Sequence, residues 1–202
     1  VCVLWLGWCN AADVTSCLSG AQVDQAVLEE LIRERLPELS ERIPDLSPLA
    51  SASLTWFLTL FISALPFRSA LCVLDCFFYL GIRAVFQIAL AVLDANTAEL
   101  SSSSDDGHAL MILTSFLEQV RHEEESHVCA EDAGASHRLN ITTLITDAHE
   151  KFCGVSVKHV EMLRSRQRVQ VLQAHEDSTK DNAVRLFPLL PLKGFCTARS
   201  SA

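Results

Sequence analysis

The chain has 202 residues, half of them hydrophobic, and a formal net charge of −9 at neutral pH. That balance disfavours nucleic acid as a partner, because a phosphate backbone is held by a basic face. Eight cysteines in this length are too dilute for a disulfide scaffold, so the thiols read as free and the protein as cytoplasmic.

Val1–Leu18 has no initiating methionine, no clear periodicity and no basic flank to make its apolar start a signal peptide. Residues 1–19 read as a head foreign to the rest of the chain. Asp24 is positioned to cap a helix that sets Val27, Leu28, Leu31 and Ile32 on one face. Glu29 and Arg33 lie on the other face at i, i+4. Pro37 and the pair Ser47–Pro48 mark further helix starts.

Leu46–Phe67 runs for 22 residues without a charge, enough on paper to cross a bilayer. Pro48 and its neighbouring hydroxyls leave only Leu54–Leu65 densely apolar, which is the length of a buried helix, and no basic cluster flanks it. Leu54, Phe57, Leu58, Phe61, Ile62 and Leu65 recur at helical spacing up to Pro66. A second helix starts near Arg68–Ser69, carries Leu71, Val73, Leu74, Phe77 and Phe78, the two phenylalanines as packing residues, and ends at Gly81. A third, from Ile82 to about Ala95, buries Val85, Phe86, Ala89, Leu90 and Leu93. Only Arg68, Asp75 and Arg83 are charged between Leu54 and Leu93. Asp75 is therefore expected to need a backbone or arginine partner.

Trp56–Phe61 (WFLTLF), Leu65–Phe67 (LPF) and Val73–Gly81 (VLDCFFYLG) together resemble the C-terminal half of a TBC domain, the Rab GTPase-activating domain. Val85–Asn96 and Asp105–Leu117 are similar to the subgroup that also carries GRAM domains and an EF-hand-like tail. Two departures stand out: Leu80 replaces an acid before the glycine, and Arg68 replaces a glutamate after LPF. The resemblance implies an all-α helical bundle, the C-terminal subdomain of a TBC domain over residues 20–120, with extra C-terminal helices. It also implies a Rab-family GTPase as partner, vesicle trafficking as the setting, and peripheral association with endomembranes through other parts of a parent protein.

Such a domain accelerates GTP hydrolysis with an arginine in I-x-x-D-x-x-R and a glutamine in Y-x-Q. An arginine finger is worth a factor of about 10³–10⁵ in rate. No aspartate here has isoleucine three residues before it, and the sole tyrosine, Tyr79, precedes Leu80 and Gly81. The reading is a regulator fragment, not an enzyme, with no catalytic, cofactor-binding or metal residue to assign. Loss of the N-terminal half would leave an apolar patch exposed. A non-catalytic Rab-binding scaffold and a membrane-associated helical protein built on Leu46–Phe67 are the alternatives.

Beyond Asn96, Ser101–Gly107 (SSSSDDG) reads as a polar loop and Ala109–Val120 as a helix. Residues 121–140 read as a flexible acidic linker in which His122, His127 and His137 are solvated. Cys72 with Cys76 falls loosely within zinc-ligand spacing but sits in an apolar helix, so both read as small core residues. Glu131–Asp132 does not continue into a calcium loop. Ile141–Phe152 and Val155–Gln173 complete a post-TBC helical segment over 141–186, whose Arg164, Arg166 and Arg168 meet nearby acids or solvent. Residues 187–202 read as a disordered tail.

Overall fold

The structure, a computed structural model, describes residues 11–43, 45–103, 105–122 and 139–186. Among them the chain is all-α, and the only strand-like feature is an isolated bridge between Arg121 and Asn140. The helices in order are α1 (Ala11–Arg35), α2 (Pro37–Arg42), α3 (Ser47–Thr59), α4 (Phe67–Leu80), α5 (Ile82–Ala95), α6 (Thr97–Ser101), α7 (Asp106–Gln119), α8 (Ile141–Lys151) and α9 (Val157–Leu186).

α5 is the axis of the bundle. Every residue from Ala84 to Leu93 is buried. α1, α3, α4, α8 and α9 enclose it, and α6 and α7 also pack against it. Its one buried polar side chain, Gln87, donates from Nε2 to the Phe152 carbonyl at 2.9 Å. That bond ties the axis to the end of α8 and satisfies both groups.

Several boundaries differ from the sequence expectation. Asp24 does not cap a helix; α1 begins at Ala11 and Asp24 lies inside it, buried. The helix expected to run to Leu65 stops at Thr59, because Leu60 and Phe61 take left-handed backbone angles, φ 50° and 64°. Left-handed geometry costs roughly 1–2 kcal/mol per non-glycine residue. Burying a leucine or phenylalanine contributes about 1.5–3 kcal/mol each, and both side chains are buried. Phe61, fully enclosed, stacks on Trp56 with ring centroids 5.2 Å apart. Burial wins, and the proline is not what ends the helix.

The remaining starts follow local chemistry. Asp105 accepts from the His108 N–H at 2.7 Å, Asn140 from Thr142 at 2.8 Å, and the Ser156 hydroxyl from His159 at 3.2 Å. Gly81 closes α4 and opens α5 with φ 72°, a backbone angle that favours glycine. The sequence expectation of two helices after residue 140 holds, but the second, α9, runs on past Gln173 to Leu186. Arg121 exchanges backbone hydrogen bonds with Leu139 (2.8 Å) and Ile141 (2.9 Å), bringing the two ends of the expected linker together. His127, His137 and Glu131–Asp132 lie outside the described residues, as do the tail after 186 and most of the head.

Candidate interaction site

The feature that departs most from a closed core is α4. Its inner face presents Ser69, Ala70 and Val73, small enough for close approach to the bundle. Ser69 anchors it, donating its hydroxyl to the Val120 carbonyl at 2.9 Å in a buried setting. Ser69→Ala would leave that carbonyl unsatisfied and is expected to cost about 1–3 kcal/mol, measurable by urea unfolding.

The opposite face is apolar and open. Phe67 is 72% exposed, Leu71 43%, Phe78 73% and Tyr79 87%, with Leu74 half-buried beside them. This corrects the expectation that Phe78 is a packing residue: Val73 is buried and Phe77 half-buried, but Phe78 faces outward with Leu71. Asp75 is exposed on the same face, so the expected buried partner is not required, and Arg68 is exposed two turns away. Cys72 and Cys76 are half-buried on the flanks. Burial pushes both thiols up, and the Asp75 charge adds to the effect, which disfavours the reactive thiolate. Among the described residues no cluster of three or more His, Cys, Asp or Glu side chains could hold a metal ion. An open groove of about 590 Å³ between α3 and α7, lined by Trp56, Pro66, Leu113, Leu117, Glu118 and Arg121, lies alongside.

A second surface is charged. Across the contact of α1 with α9, Arg164 Nε and Nη2 donate to the two Asp24 oxygens at 2.5 and 2.7 Å. Arg166 pairs with Glu30, whose other oxygen accepts from Gln167 at 3.0 Å. The Arg166 hydrogen bond holds the Glu30 carboxyl below the usual range, against the opposing effect of burial. His159 Nε2 lies 3.3 Å from Glu34 Oε2 without hydrogen-bond geometry, and Arg35 reaches the Gly154 carbonyl at 3.2 Å. Arg164 and Arg166 thus meet acids within the fold, as the sequence expected, while Arg168 is exposed.

Among the described residues no helix is long and apolar enough to cross a membrane, and Leu46–Phe67 is divided by the turn after Thr59. The helical order around α5, with WFLTLF at a tight turn and VLDCFFYLG closing α4, coincides with a family match: residues 14–101 fit the model of the Rab-GTPase-TBC domain. Over these residues the chain is similar to the TBC domain family.

The TBC match begins inside α1, six residues before the start expected from sequence, and ends at the last residue of α6. The chain is 29% identical over 167 residues, 82% of its length, to an Emericella nidulans protein named for GTPase activation. It is 33% identical over 115 residues, 56% of its length, to human Small G protein signaling modulator 3. It is 25% identical over 170 residues, 83% of its length, to the GTPase-activating protein gyp2 of Schizosaccharomyces pombe. The alignments cover only 15%, 15% and 24% of those proteins respectively. No solved structure matches.

Proposed function

We propose that this chain is the supporting, C-terminal part of a TBC domain that acts on a Rab-family GTPase in vesicle trafficking. The observation that carries the reading is the Rab-GTPase-TBC match over residues 14–101, together with relatives named for GTPase activation or small G protein signalling. The similarity of Val85–Asn96 and Asp105–Leu117 to the GRAM and EF-hand-like subgroup supports placing the parent there. Residues 20–120 form the TBC portion and 141–186 its helical extension.

Neither finger motif occurs in these 202 residues. On this reading the chain supplies positioning surfaces, and the groups that stabilise charge on a transferring phosphoryl, where such catalysis originates, belong to the finger motifs. The role is to frame the GTPase and to support catalytic groups held elsewhere in the parent. Single-turnover GTP hydrolysis by a panel of Rab proteins, with this chain in excess, is expected to show no stimulation. Stimulation by one of its arginines would overturn the assignment. Rab binding without stimulation would favour the scaffold reading.

A further inference from the structure

Ser101–Gly107 (SSSSDDG) joins two helices: α6 ends at Ser101 and α7 begins at Asp106. A serine followed three residues later by an acid occurs at Ser102 and Ser103, with Asp105 and Asp106, and again at Ser115 and Ser178, with Glu118 and Asp181. Sequence alone leaves the four equal, and the structure ranks them. Ser115 lies within α7 between the buried Leu113 and Leu117, and Ser178 lies within α9. A hydroxyl there reaches another protein's cleft only if its helix first unwinds. Ser103 is half-buried, its hydroxyl donating to the Leu100 carbonyl at 2.7 Å. Ser102 is exposed, just past the end of α6, and its hydroxyl donates to the Glu99 carbonyl at 2.8 Å, an exposed bond that water replaces at little cost. Asp105 and Asp106 are exposed too. Asp105 gives one oxygen to the His108 N–H, and a carboxylate has a second with which to meet an incoming cation.

We propose that Ser102 is a phosphorylation site for a serine kinase whose substrate cleft carries a basic pocket three residues beyond the reacting hydroxyl, the place taken by Asp105. The chemistry balances with a nucleoside triphosphate as donor. Ser102 Oγ forms a bond to the γ-phosphorus while the bond from that phosphorus to the β,γ-bridging oxygen breaks. The nucleoside diphosphate leaves, and the hydroxyl proton passes to the kinase's base. The product carries a charge of about −1.5 to −2 at neutral pH, beside the exposed carboxylates of Glu99, Asp105 and Asp106. The junction of α6 and α7, already acidic, becomes a concentrated negative patch. This inference stands on that junction and is independent of the Rab reading; the hydrolysis assay and the phosphorylation assay fail separately.

Incubating the folded full chain with magnesium ATP and an acid-directed serine kinase tests it, with an arginine-directed kinase run alongside. Mass spectrometry is expected to map a phosphoryl group to Ser102 with the acid-directed enzyme alone. Ser102→Ala should abolish that incorporation. Asp105→Asn keeps a capping residue at the start of α7 but removes the charge, and should slow incorporation about tenfold or more, the scale of one lost charge-assisted contact. Circular dichroism checks that both variants keep their helix content. No incorporation, a phosphate mapped to Ser103, Ser115 or Ser178 instead, an unchanged rate in Asp105→Asn, or equal modification of Ser102 by the arginine-directed kinase would each overturn the inference.

Discussion

Phe86→Ala is expected to lower the unfolding free energy by about 3–5 kcal/mol. Phe86 is fully buried at the centre of α5 and meets Phe57 with ring centroids 4.9 Å apart. Its helix is enclosed on every side, so little can move in to fill the space. A loss of this size is a large fraction of the 5–15 kcal/mol typical of a domain. Phe78→Ala, by contrast, removes a ring that is 73% exposed and is expected to change stability by about 0.5 kcal/mol or less. Urea unfolding followed by circular dichroism separates the two. Equal losses would mean that α5 is not the axis of the core.

Arg164→Leu is expected to cost roughly 2–4 kcal/mol, toward the lower end for breaking a buried ion pair because the guanidinium keeps some solvent contact. It strands the Asp24 carboxylate, which has only 8% exposure and two donors at hydrogen-bond distance. Replacing both residues by leucine should recover most of the loss, since no uncompensated charge then remains. Near-additive losses in the double variant would show that packing, not the pair, is what the substitutions disturb. Glu30 adds an acid dependence to the same contact. Its carboxyl is held low, first by the Arg166 hydrogen bond, so its contribution is fully present above the ordinary glutamate range. It is lost as the pH falls through the lowered value.

The spacing of Val85, Phe86, Ala89, Leu90 and Leu93 made the buried side of α5 legible, but that Gln87 and the remaining residues from Ala84 to Leu93 are buried as well is set by the packing around it. Apolar uniformity hid the orientation of α4. Phe, Leu, Val and Cys surround that helix, and hydropathy alone cannot say which side turns inward. What decides it is size: Ser69 and Ala70, the small residues, permit the close approach, and the large ones are left outside. Thr59 was missed as a helix end because Leu60 and Phe61 carry no turn signature; their left-handed angles are imposed by tertiary burial. The partners of Arg164 and Arg166 lie more than 130 residues away in sequence, beyond the reach of any local pattern, so only the presence of acids somewhere could be anticipated.

The charged contact of α1 with α9 also bears on where this domain can be cut. The family match stops at residue 101, yet Asp24 and Glu30 inside it find their cations at Arg164 and Arg166, and Gln87 finds its acceptor at Phe152. A recombinant fragment ending at the family boundary would bare one flank of α1 and leave a buried amide without its carbonyl. The length matched by the family model and the length tied together by these contacts differ, and the second extends into α9.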